Sequence, residues 1–194
     1  MNARAQAVVM GASAGAVEVL LTLLPKLPEN YPLPIVVVVH LPPDKPSVLA
    51  ELFQARCHVV IREAEDKEPL MAGHVYFAPP NYHLLVEEKH YLSLSNEEPE
   101  HYSRPSINVL FESAADAYRD GLIGILLTGA NDDGAQGLKA IEAAGGRAVV
   151  QRPDMATNPT MPQAGLDACV AAQALSLVEI TELLQKVAYA HDEA

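Results

Sequence analysis

Ile35-Val36-Val37-Val38-Val39 is an unbroken β-branched run. A strand that meets water on one face alternates apolar and polar residues, so a run with no polar position needs cover on both faces, as in the middle of a parallel sheet. Parallel neighbours cannot be joined by tight turns and require crossovers, most often helices. One short stretch therefore asks for helices above and below a sheet. The flanking segments agree with this demand. Val8-Val9-Met10 and Leu122 to Leu127 read as further buried strands, and Val59 to Ile61, Arg147 to Gln151 and Ala172 to Leu175 as shorter ones. Helical spacing of apolar residues falls between them, over Val17 to Leu24, Ser47 to Ala55, Ser106 to Tyr118, Ala135 to Ala144, a short stretch ending near Asp167, and Ile180 to Ala190. Pro25 and Pro28 close the first helix, Pro46 and Ser47 suit the entry of the second, and Gly145-Gly146 follow the fourth. From Glu63 to Glu98 the texture changes to short apolar runs, Val75 to Phe77, Leu84 to Val86 and Tyr91 to Leu94, whose close spacing predicts antiparallel hairpins. The expected fold is α/β: a doubly wound, mostly parallel sheet with helices on both faces and an antiparallel hairpin insertion on its edge, forming one domain over residues 1–194.

Composition removes several function classes. With 49% hydrophobic residues the chain supports a full core. Its longest apolar stretches, such as Pro34 to Leu41, fall well short of the ~20 residues that span a bilayer. Met1-Asn2-Ala3-Arg4 runs into the first strand without the apolar segment of a signal peptide, so a cytoplasmic location without membrane insertion is expected. A net charge of -12, with 13 Lys and Arg spread along the chain, repels phosphate backbones and argues against nucleic acid as a partner. Cys57 and Cys169 are isolated and read as core residues, not as a disulfide pair or thiol metal site. No metal and no cofactor is expected.

Chemistry concentrates where strands end. Gly11-Ala12-Ser13-Ala14-Gly15 fits the G-x-S-x-G strand-to-helix turn that exposes a nucleophilic serine. The same residues also fit a small-residue turn whose Ser13 caps the following helix. In open parallel sheets ligands bind beyond the carboxyl ends of the strands, at the point where strand order reverses. Ser13 ends the first strand, His40 the second, and Asn131-Asp132-Asp133 follow the strand at Leu122 to Leu127. These are the parts of acyl transfer: a hydroxyl, a base to take its proton, and a carboxylate to orient the imidazole. His40 is the one histidine of seven at the carboxyl end of an expected central strand. Two adjacent aspartates cannot both face the site, and local sequence leaves open which of them does. The order Ser, His, Asp differs from the Ser, Asp, His of the α/β-hydrolases. Two other functions fit the same parts, a small-molecule ester or amide hydrolase and a non-catalytic module holding an anion at the helix N-terminus.

Five segments, Met10 to Gly15, Val39 to Pro43, Gly73 to Pro79, Arg104 to Phe111 and Leu127 to Gly134, resemble in order the motifs of the CheB-type chemotaxis protein-glutamate methylesterase catalytic domain. The resemblance runs from about residue 7 to about residue 185. It implies hydrolysis of glutamate methyl esters on chemoreceptors, with glutamine deamidation in some members. By position it implies Ser13 as nucleophile, His40 as base and Asp133 as orienting acid. It further implies Ala14 and Ala130 as oxyanion candidates, and Arg104 and Met161 as substrate-contacting candidates. The implied partner is the methylated cytoplasmic domain of a chemoreceptor. The family usually places a receiver domain before this one, and the early first strand predicts that regulation, if any, comes from a separate protein. The chain departs from the family pattern at Ala14 for Thr, Ala16 for Gly, Ala130 for Met, Asn131 for Gly and Asp132 for Asn.

Overall fold

The computed structural model describes residues 4–40, 48–100 and 102–192. Its elements run β1 (Ala7–Ala12), α1 (Ala16–Leu23), β2 (Ile35–Val39), α2 (Leu49–Gln54), β3 (Val60–Glu63), β4 (His74–Phe77), β5 (His83–Val86), β6 (Leu92–Ser95), α3 (Ile107–Tyr118), β7 (Leu122–Leu126), α4 (Ala135–Ala143), β8 (Arg147–Gln151), α5 (Thr160–Ala168), β9 (Gln173–Leu175) and α6 (Leu177–Asp192). The expected entry of α2 at Pro46 and Ser47, and the Leu41 to Pro43 part of the second motif, lie outside the described residues.

Seven strands form one parallel sheet in the order β3-β4-β2-β1-β7-β8-β9. The doubly wound class expected from the sequence is the class observed. Strand alternation splits the valine run between two cores. Ile35, Val37 and Val39 join Val8, Met10 and Ile125 beneath α1, α2 and α6. Val36 and Val38 join Val9, Leu126 and Val150 beneath α3, α4 and the buried Met161 of α5. All five residues of β2 are buried, which is why none of them is polar.

Two expectations for residues 63–98 need correction. Val75 to Phe77 is not part of a hairpin. Within β4 it pairs in parallel with β2 on one side and β3 on the other, with Ile35 opposite Val75 and Ile61 opposite Val75. The crossover from β3 to β4, residues 64–73, carries no helix, so the usual βαβ signature is missing there. The antiparallel part is the β5–β6 hairpin alone, with Leu84 opposite Leu94 and Val86 opposite Leu92. Nor does it extend the sheet edge. Leu84, Val86 and Leu92 are buried in the same core as α3, and Ser113 Oγ of α3 accepts from Val86 N–H at 3.1 Å. A two-stranded ribbon has little stability of its own and takes cover against a helix.

The chain winds outward from β1 through β2, then returns to start β7 on the other side of β1. That reversal opens a crevice between the loops leaving β1 and β7. Residues 13–15 leave one strand there and residues 127–134 the other.

Candidate active site

Adjacent parallel strands bring Ser13 and His40 together. Ala12 of β1 is in register with Val39 of β2, and His40 N–H donates to Ala12 O at 3.2 Å, so Ser13 and His40 are the next residues of two paired strands. Ser13 N–H donates to Thr128 O at 2.9 Å, tying the turn to the loop beyond β7. The residue before α1 is Gly15 at φ 84°, and no side chain caps that helix. The capping role open to Ser13 on sequence grounds is therefore not the one its hydroxyl takes. Glycine is required at 15: a Cβ there would lie 2.9 Å from Thr157 Cβ, and its left-handed backbone strains any other residue.

His40 Nε2 donates to Asp133 Oδ2 at 2.8 Å, with Asp133 wholly buried and the imidazole side chain 12% exposed. Of the two adjacent aspartates, it is Asp133 that turns inward, while Asp132 is exposed. The carboxylate sits at the start of α3. Its Oδ1 accepts from Ser106 Oγ at 3.0 Å and Asn108 N–H at 2.9 Å, and its Oδ2 also accepts from Ile107 N–H at 2.7 Å. The first N–H groups of a helix have no intrahelical acceptor and carry the positive end of its dipole, so they suit an anion. Burial by itself would push the Asp133 carboxyl up. The hydrogen bond from His40, then those from Ile107 and Asn108, outweigh burial and hold it below its ordinary value.

The cradle is fixed from both sides. Asn108 Oδ1 accepts from Gly134 N–H at 2.9 Å and Gly137 N–H at 2.8 Å, locking the residue after Asp133 to the helix that holds its carboxylate. Asn131 Oδ1 accepts from Asp133 N–H at 3.3 Å, and its Nδ2 lies 3.5 Å from His40 Nδ1. Because Nε2 is committed to an ionised carboxylate, it carries the ring proton and Nδ1 is left as the acceptor nitrogen.

A family model described as CheB methylesterase matches residues 8–184. A Leptospira interrogans protein provisionally named protein-glutamate methylesterase/protein-glutamine glutaminase is 47% identical over 178 residues, 92% of each chain. This chain belongs to the CheB methylesterase family.

Among curated relatives, a protein-glutamate methylesterase/protein-glutamine glutaminase of Trichodesmium erythraeum is 34% identical over 94% of this chain and 53% of its own. The chain thus spans nearly all of the Leptospira relative and about half of the Trichodesmium one. The crystal structure of the Thermotoga maritima CheB methylesterase catalytic domain superposes with a TM-score of 0.88, at 28% identity, over 95% of this chain and all of that one. No described helix is long and apolar enough to cross a membrane.

Within this CheB fold the remaining candidates separate. Ala14 and Ala130 are exposed at the mouth of the crevice, and the Ala14 carbonyl is taken by Thr128 Oγ1 at 2.9 Å. Met161 is fully buried. Its side chain packs where a Cβ on Gly129 would sit, 2.5 Å from such an atom, and its N–H donates to Gly129 O at 2.9 Å. It supports the 129–130 loop from below and does not line an opening. Among the described residues no hydrogen bond joins Arg104 to Ser13, His40 or Asp133. Its Nε and Nη2 donate to Asn81 Oδ1 at 3.2 and 2.8 Å, and its Nη1 donates to Asn96 O and Glu97 O, both at 2.9 Å. A guanidinium so engaged ties the hairpin to the approach of α3.

Ser106, Asn108 and Thr128 were not singled out as site residues from the sequence. The proline and serine before α3 signal a helix start, yet nothing local says that this start points at Asp133. A cavity of about 700 Å³ opens at the amino ends of β7 and β8, lined by Arg4, Glu142, Arg147 and His191, and holds none of the triad candidates.

Proposed function

We propose that this chain hydrolyses methyl esters of glutamate side chains on the cytoplasmic part of chemoreceptors, with Ser13 as nucleophile, His40 as base and Asp133 as orienting acid. The observation that carries this reading is the 2.8 Å bond from His40 Nε2 to the buried Asp133 carboxylate, beside Ser13 on the paired strand.

In the reaction Ser13 Oγ attacks the ester carbonyl while its proton passes to His40 Nδ1. Asp133 stabilises the imidazolium so formed without itself taking the proton. Collapse of the tetrahedral intermediate breaks the C–O bond to the methoxy group, and the proton on Nδ1 leaves with it as methanol. Water, deprotonated by the same nitrogen, then attacks the acyl-serine and releases the glutamate carboxylate and the serine hydroxyl. A glutamine substrate follows the same course with ammonia as the leaving group. The Ala14 and Ala130 backbone N–H groups suit the oxyanion, because both residues stand at the mouth of the crevice and neither N–H has a partner among the described hydrogen bonds. One such donor is worth ~10²- to 10³-fold in turnover.

Ser13→Ala is expected to abolish methanol release from methylated receptor fractions while leaving the circular dichroism spectrum unchanged. Undiminished release from that variant overturns the assignment.

A further inference from the structure

Asn131 touches two members of the proposed triad at once. Its Oδ1 faces the Asp133 N–H at 3.3 Å and its Nδ2 faces His40 Nδ1 at 3.5 Å. A backbone N–H only donates, so the oxygen end of the carboxamide belongs at Asp133 and the NH2 end is turned to the imidazole. Nε2 gives its proton to Asp133, so the Nδ1 lone pair is the single acceptor the ring has left. Within the described chain the hydrogen bond that reaches it comes from Asn131, and none comes from Ser13 Oγ.

We propose that Asn131 is a latch on the general base: its carboxamide competes with the Ser13 hydroxyl for His40 Nδ1 and turns away when the serine is activated. This inference rests on the Ser13, His40 and Asp133 reading above. Two donors cannot share one lone pair along the same direction. Once Nδ1 has taken the serine proton, moreover, two N–H groups face each other, so the observed orientation favours the neutral ring and opposes the step. Turning the carboxamide over does not relieve this, because its NH2 would then meet the Asp133 N–H. The side chain has to leave. Asn131 acts through His40 and is a positioning residue with a sign opposite to that of Asp133.

The test is the rate at which a fluorophosphonate probe labels Ser13, a reaction that forms the Oγ–P bond, expels fluoride and hands the serine proton to His40. Removing a neutral hydrogen-bond competitor in Asn131→Gly and Asn131→Ala is expected to speed labelling about three- to ten-fold. A second readout does not depend on turnover. In a Ser13→Ala background, the ¹⁵N resonance of His40 Nδ1 is expected to move toward the unbonded value when Asn131→Ala is added. Labelling that is no faster in both small variants at unchanged melting temperature, or an unmoved resonance, overturns the latch and leaves the triad standing. Labelling that persists in Ser13→Ala instead overturns the triad reading, and the latch falls with it.

Discussion

His40 Nε2 and Asp133 Oδ2 meet at 2.8 Å across 93 positions of sequence. The contact fixes which imidazole nitrogen is acidic and which is basic, and the donors around Asp133 keep its carboxylate ionised for that purpose. Asp133→Asn is the direct probe. A carboxamide offers one acceptor oxygen where the carboxylate serves four donors, and its NH2 must face some of them. Turnover is expected to fall on the order of a thousand-fold or more. Buried donors left unpaired should also cost about 1 to 3 kcal/mol each. Steady-state methanol release and urea unfolding measure the two losses separately.

Acid should uncouple the same residue. The Asp133 carboxyl lies below its ordinary value in the folded protein, so its contribution to stability is complete above the unfolded value of about 3.9 and is lost as pH falls through the lower folded value. The wild type is therefore expected to lose stability below about pH 4 more steeply than Asp133→Asn, which has no proton to take up there. Denaturant midpoints of the two proteins across pH 2 to 6 would converge toward the acid end. Parallel curves would show that the carboxylate is not held down by its partners.

The Asn108 backbone N–H holds the Asp133 carboxylate, while its side chain bonds none of the triad and its Oδ1 pins both Gly134 and Gly137. Asn108→Ala leaves two buried N–H groups without an acceptor, an expected loss of about 2 to 4 kcal/mol. Because Gly134 follows Asp133, turnover should drop as well, with kcat affected more than KM. Unfolding curves and kinetics on the same preparation check both.

Gly134 itself has no room for a side chain. Its φ is +92°, and a Cβ would stand 2.6 Å from both Ile107 Cγ2 and Leu126 Cδ1. Gly134→Ala combines left-handed strain with overpacking, about 2 to 4 kcal/mol in all. The side chain it displaces belongs to Ile107, whose N–H holds Asp133. A thermal melt should record the loss of stability, and probe labelling of Ser13 should slow.

Arg104 distinguishes a loop tie from a substrate anchor. Arg104→Lys keeps the charge but cannot serve Asn81, Asn96 and Glu97 together. If the tie is its role, Lys and Ala at 104 should lower the melting temperature by similar amounts and change KM little. A KM defect in Arg104→Ala that Arg104→Lys restores would mark it as an anchor instead.

Much of this was legible in the chain. The β2 run demanded cover on two faces, and the two cores supply it. Strand-end placement picked out Ser13 and His40 because a parallel sheet sends every strand's carboxyl end to one edge, whatever the details of packing. The resemblance to CheB-type motifs pointed to Asp133 over Asp132, and Asp133 is the one whose carboxylate is buried against His40. Other features had no local signal. His74 to Phe77 looks like one more short apolar run among several, and its four residues carry no information about their neighbours. Its slot between β2 and β3 is decided by how a ten-residue crossover without a helix lies across the sheet. Arg104 and Met161 matched motif positions, but sequence position does not say where a side chain points.

The sequence by itself determined a parallel sheet covered on both faces and the strand ends that Ser13 and His40 follow, because hydrophobic periodicity and turn chemistry act over a few residues. Only the tertiary structure decided that the start of α3 receives the Asp133 carboxylate, that Asn108 locks it there, and that Asn131 addresses the free nitrogen of His40. Those relations join residues from two separate loops and the start of a helix. Hydrogen-bond geometry of that kind exists only once the two cores have fixed the sheet and helices in place.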